Sequence, residues 1–220
     1  MDKIILIGAG GHARSVVDTI EKQGHFEIAG FVDAEEIGQK VYRSYTCLGQ
    51  DEDLIFLYQS GIHYAFVCVG FMGQSFARDR IYAELVQIGY QLPSIVDGSA
   101  VIASDTVLGE GTYIGKRAVL NAGASVGKMC IINTAAVVEH EATVGDFSHV
   151  SVGAVLCGQT KIGDHVMVGA NATIIQGVEI GNKGIVGAGS VVLHSVPPEV
   201  KVAGVPARSI RKGKRKILYE

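Results

Sequence analysis

The sequence predicts an α/β unit over residues 1–95 followed by a parallel β-helix over residues 96–220. Three observations carry that expectation. An apolar run ends in a glycine turn that opens a helix-like segment. Strand-like and helix-like patterns then alternate to about residue 95, and from Ile102 onward the chain repeats every six residues without a slip.

A chain of 220 residues, 48% hydrophobic and 19% charged, can bury the cores of two small domains and is not of disordered composition. A formal net charge of −3 gives no broad electrostatic case for nucleic acid or an anionic membrane as partner. Only the tail 211–216 is strongly basic; it reads as a solvated terminus or as a minor attraction for a phosphate-rich ligand. Cys47, Cys68, Cys130 and Cys157 form no CxxC pair and no zinc-like spacing, and are expected as reduced thiols, mostly buried. The run Ile4-Ile5-Leu6-Ile7 is too short for a signal peptide or a membrane span, so a soluble cytoplasmic protein is expected.

In the first unit a strand is expected over 3–7, a helix over 12–23 and a strand over 27–32. A helix over 51–60, a strand over 64–69 and a helix over 74–88 follow, with the junction at Pro93 to Asp97. The turn Gly8-Ala9-Gly10-Gly11-His12-Ala13 lies between the first strand and helix. Its glycines admit a phosphate close to the backbone, and the helix start offers free N–H groups and the positive end of its dipole. Asp33 closes the second strand, where a carboxylate accepts from a ribose hydroxyl or a base. Gly70, after the third strand, lies at the same edge, either approaching the nucleoside or serving as a turn glycine. The turn also fits the GxGxxA dinucleotide pattern, but about 95 residues are few for both halves of a dinucleotide domain. A Rossmann-like domain for a nucleoside diphosphate-sugar is therefore favoured over one for an intact nicotinamide cofactor.

In the second unit, steps of six from Ile102 to Val192 meet sixteen branched aliphatics in register. The position two residues earlier is nearly always small, as at Ala118, Ala124, Ala136 and Ala154. Glycine follows the anchor in half of the hexads, where it is expected to supply positive φ. An inward aliphatic, a small corner residue and a glycine define one side of a coil; three sides make 18 residues, so the hexads give about five coils.

Off the inward register, Asn133 to Glu141 ends in His140 flanked by Glu139 and Glu141. A carboxylate on one ring nitrogen fixes the tautomer and raises the basicity of the other, as a general base requires. One coil beyond His140 lies Gly158, which leaves room and a reachable N–H for a thioester carbonyl. His149 is half a coil away and meets His140 only if prisms associate around a three-fold axis.

These segments, with Val144 to Gly153 and the ending Ala203-Gly204-Val205-Pro206-Ala207-Arg208, resemble the bacterial hexapeptide-repeat acetyltransferases with an N-terminal UDP-sugar-binding domain. That family includes UDP-4-amino-sugar N-acetyltransferases of glycan biosynthesis and sialic acid O-acetyltransferase-like relatives. The resemblance implies a left-handed β-helix, a hand that general crossover rules do not give. It implies His140 as base, Glu141 as the acid that raises its basicity, and Asn133 in the catalytic set. His149, Gly158, Ala170 and Ala188 match acetyl-CoA contacts, His149 acting from the adjacent subunit of a homotrimer. Gly10, Gly11, His12 and Asp33 match nucleotide-sugar contacts, and Ala34 and Gly70 are expected beside them in the same site. The sequence departs at Ala34, where amino-sugar enzymes carry a second aspartate. No metal is called for. A metal-dependent hydratase on the same helix is disfavoured because His140, His149 and His165 include no HxxxxH pair. A sugar O-acetyltransferase and a non-catalytic nucleotide-sugar-binding module remain as alternatives.

Overall fold

Four consecutive aliphatics, Ile4 to Ile7, are buried on both faces, which places β1 (Asp2–Ile7) at the centre of a parallel sheet. The computed structural model describes residues 1–73 and 76–210; the basic tail and the expected start of the third helix at 74 lie outside the described residues. From β1 the chain runs through α1 (Gly11–Gln23), β2 (Phe26–Val32), β3 (Lys40–Tyr42), β4 (Tyr45–Gly49), α2 (Leu54–Gln59), β5 (Tyr64–Val67) and α3 (Ala77–Ile88). The sheet order is β3-β4-β2-β1-β5, parallel except for the β3–β4 hairpin. That hairpin was not expected, because residues 40–49 lack a clean apolar alternation. The expected helix over 51–60 is a 3-10 turn at Asp51–Asp53 followed by α2. α1 stops at Gly24, whose φ of 65° carries the chain out of the helix while its N–H donates to the Ile20 carbonyl at 3.0 Å.

From Ile95 to Val192, two-residue strands stack in parallel every 18 residues into three faces of a prism, which Lys201–Ala203 and the antiparallel Arg208–Ser209 close. One face carries Val101, Val119, Val137, Val155, Thr173 and Val191 outward and is here called the valine face. The second turns Val107, Ser125, Thr143, Lys161 and Glu179 to solvent. The third, from Ile95–Val96 to Arg208–Ser209, docks on the α/β unit through Ile95, Tyr113 and Ile131. The anchors from Ile114 to Val192 fill the interior at 0–3% exposure, each contributing roughly 1.5–3 kcal/mol of apolar burial.

The glycines after the anchors act differently from expectation. Positive φ falls instead on the third residue after each anchor from Leu108 to Val186, including Arg117, Ala135, Glu141, Gln159 and His165. The glycines next to the anchors have no positive φ; a Cβ on Gly145 would run into the Gly163–Asp164 backbone of the next coil. Their requirement is close stacking of coils, and left-handed corners are tolerated on ordinary side chains at about 1 kcal/mol each.

Candidate active site

The glycine turn at residues 8–13 is braced from both neighbouring strands. Gly8, at φ 91°, donates its N–H to the Val32 carbonyl at 2.9 Å, and a Cβ there would strike Val69. Asp33 accepts the Ala9 N–H on Oδ2 at 2.5 Å and the Ala34 N–H on Oδ1 at 2.6 Å, which holds the turn against the end of β2. Gly10 caps α1 without a side-chain acceptor, no acid lies in the first turn, and open space surrounds the Cα atoms of Gly10, Gly11 and Gly70. A cleft of about 290 Å³ runs beside this turn over the carboxyl ends of β1 and β2, lined by Gly8, Asp33, Ala34, Gln50 and Asp51. It opens where the strand order turns from β1 toward β5, the place where open α/β sheets bind ligands.

His12 leaves this turn toward the prism and packs edge-on against Tyr113, ring centroids 5.0 Å apart. Its buried Nε2 has no hydrogen-bond partner. Burial first, then the charge of Arg78 and the proximity of His149, push its imidazole down to about 3, so it is neutral at any working pH. His149 is buried on the docked face; its Nδ1–H donates to the Phe71 carbonyl at 2.8 Å, and Asn133 Nδ2 lies 3.2 Å from its Nε2. Burial, with Arg78 adding to it, also lowers the His149 imidazole, while the Phe71 carbonyl works the other way. Asn133, His149, Ala170 and Ala188 thus gather at or beside the corner between the docked face and the valine face.

His140, Glu141 and Gly158 stand at the opposite edge of the valine face, in the corner leading to the polar face. His140 is half-exposed, with Nδ1 3.5 Å from Glu141 Oε2. Glu141 occupies a left-handed corner at φ 56°, and Gln159 Nε2 donates to its Oε2 at 2.9 Å. Glu139, the other flanking acid, turns from the ring to accept from Asn121 Nδ2 at 2.9 Å and from the His140 N–H at 3.1 Å. Gly158 lies against the imidazole so closely that a Cβ would collide with His140 Nε2 and Cε1. The two groups, around His140 and around His149, do not meet within one chain. Sequence reasoning missed Gln159, although the 18-residue step that found Gly158 also leads from Glu141 to Gln159. It missed Arg78 too, which no local pattern marks as buried.

Residues 3–85 match the PglD N-terminal domain, and residues 106–139 and 159–194 match the hexapeptide repeat of succinyl-transferase. The perosamine N-acetyltransferase PerB of Caulobacter crescentus, solved with CoA and GDP-perosamine, is 31% identical, with 96% of this chain and 98% of that one covered and a TM-score of 0.89. The acetyltransferase domain of PglB from Neisseria gonorrhoeae, solved with acetyl-CoA, is 30% identical over 94% of this chain and 98% of that one, TM-score 0.87. WeeI from Acinetobacter baumannii is 25% identical over 96% of this chain and 100% of that one, TM-score 0.80. Among curated proteins there is no significant match. Fold and relatives together define an acyl-CoA-dependent sugar acetyltransferase with acetyl-CoA as co-substrate, built on a left-handed β-helix. The chain belongs to the family of hexapeptide-repeat sugar N-acetyltransferases that carry a PglD-type N-terminal domain.

Proposed function

We propose that the chain transfers acetyl from acetyl-CoA to the amino group of a nucleotide-linked 4-amino-sugar for bacterial glycan synthesis, in the cytoplasm and as a homotrimer. In this reading residues 1–95 hold the nucleotide-sugar at Gly10, Gly11, His12, Asp33, Ala34 and Gly70, and residues 96–220 carry the transfer. The observation that carries it is the imidazole of His140, with Glu141 on the Nδ1 side and Gly158 against Nε2. The sugar amine attacks the thioester carbonyl; a C–N bond forms as the C–S bond breaks. His140 Nε2 takes the amine proton and returns it to the CoA thiolate, while Glu141 stabilises the imidazolium. Backbone N–H groups near Gly158 serve the oxyanion. UDP is the carrier implied by the sequence resemblance. GDP is the second reading, favoured by the ligand held in PerB, and Ala34 in place of a second acid leaves the nucleoside open.

The placement of these residues at two different corners supports the trimer. If three valine faces turn toward a three-fold axis, the His140 corner of one copy adjoins the Asn133–His149 corner of the next. CoA would then lie between Gly158 of one copy and Ala170 and Ala188 of its neighbour. Thiol release from acetyl-CoA with UDP- and GDP-linked 4-amino-sugars, beside the corresponding 4-hydroxy sugars, tests the reaction. Turnover only with hydroxy sugars would make the protein an O-acetyltransferase; no turnover with any acceptor would leave the binding module.

A further inference from the structure

Tyr113 is a buried phenol that the proposed chemistry does not use. It stands on the docked face of the prism, in the strand Tyr113–Ile114, and is 1% exposed. Its hydroxyl lies 3.3 Å from Thr19 Oγ1, which in turn lies 2.9 Å from Asp97 Oδ2. Burial raises the Asp97 carboxyl, but the Ser99 hydroxyl and N–H, Thr19 and Lys116 outweigh it and hold the group below the usual carboxylate range. An ionised carboxylate only accepts, so Thr19 donates to Asp97 and its oxygen accepts the Tyr113 O–H. Burial also raises the phenol, which keeps the proton that this bond needs. Thr19 and Asp97 are buried as well, and a buried hydroxyl without a partner is costly, so this chain of bonds fixes the angle of the Tyr113 ring.

The same ring meets His12 edge-on, with centroids 5.0 Å apart and planes at 84°. His12 is the second residue of α1, beside the open space at Gly10 and Gly11. Its Nε2 is buried without a partner, and among the described residues no hydrogen bond orients its imidazole. His149, by contrast, is turned by the Phe71 carbonyl. The orientation of the His12 ring therefore depends on packing, and edge-on aromatic pairs favour one mutual geometry.

We propose that Tyr113 is a positioning residue for the nucleotide-sugar. Its ring, tethered through Thr19 to Asp97, sets the His12 imidazole, so the prism completes a site whose other expected contacts lie in the α/β unit. The inference rests on the reading of His12 above for its effect on substrate binding, and on the contact alone for its effect on the ring.

A double-mutant cycle separates this role from a structural one. Tyr113→Leu keeps apolar bulk and removes the aromatic edge. KM for the UDP- or GDP-linked 4-amino-sugar that supports thiol release should rise roughly threefold to tenfold, the weight of an edge-on aromatic pair. KM for acetyl-CoA should hold. On a His12→Ala background the same substitution should add nothing, because the ring it positions is gone. Tyr113→Phe keeps the ring and loses only the tether, so its KM should lie between those of the wild type and Tyr113→Leu. It carries the cycle if Tyr113→Leu does not fold. The order parameter of the His12 ring, from ¹³C relaxation of the protein alone, needs no substrate and should fall in both variants. An unchanged order parameter, or losses that multiply with His12→Ala, would reduce Tyr113 to a domain weld and overturn the proposal. A loosened ring together with wild-type KM in His12→Ala would leave the positioning intact and refute His12 as a nucleotide-sugar contact instead.

Discussion

At the scale of single residues the reading depends on one imidazole and its neighbours. General-base assistance contributes about 10²–10⁴-fold, so His140→Ala is expected to lose on the order of that factor in kcat with acetyl-CoA affinity nearly unchanged. The half-exposed ring packs in no core, so thermal stability should hold. Glu141→Ala should lose less, because the imidazole stays and only its orientation and basicity suffer. Glu139→Ala should be mild, since that carboxylate serves Asn121 and the backbone rather than the ring. Steady-state kinetics across pH decide these; a wild-type kcat in His140→Ala would refute the base assignment. Gly158→Ala forces a methyl into the imidazole, so it should disturb kcat while leaving the coil folded. The stacking of Gly158 on His140 was legible in the sequence because coils repeat every 18 residues. The rotation of Glu139 away from the ring was not, because it depends on Asn121 one coil below.

At the scale of elements, legibility followed how local the determinants are. A six-residue period fixes every prism strand, since each inward anchor must meet the anchor 18 residues away. The first strand and helix were readable from four aliphatics and a glycine turn. The β3–β4 hairpin was not, because β4 gains its place by pairing beside β2 rather than by its own pattern. The glycines after the anchors were placed correctly and explained wrongly, since only the stacked coil shows the backbone they must admit. The nucleotide turn gives the test at this scale. Gly11 opens α1 with free space where a Cβ would stand, so Gly11→Val should fold normally. Its branched side chain would occupy the approach of a phosphate to the helix start. A large rise in KM for the nucleotide-sugar, with little change for acetyl-CoA, is the expected kinetic signature. An equal loss for both substrates would count against the turn as the nucleotide site.

At the scale of the whole molecule, one chain leaves its two groups of candidate site residues at opposite edges of the valine face. That face presents a column of branched aliphatics, Val101 itself being 64% exposed, whereas the neighbouring free face ends in Lys161 and Glu179. Light scattering should report about three times the 23.2 kDa chain mass. Val137→Asp with Val155→Asp sets carboxylates outward on the same strands, where the monomer tolerates them and a three-fold core does not, so the mass should fall to that of one chain with loss of turnover. Subunit mixing tests the shared site directly. His140→Ala and Asn133→Ala place their defects at opposite corners, so each homotrimer should be impaired at all of its sites. When equal amounts are dissociated and reassembled, about one boundary in four joins an intact His140 corner to an intact Asn133 corner. Turnover should therefore recover to about a quarter of the wild-type value. A site contained within one chain predicts no recovery, since every chain in the mixture would still carry a defect. Recovery thus separates a catalytic boundary from a trimer that merely groups three independent enzymes.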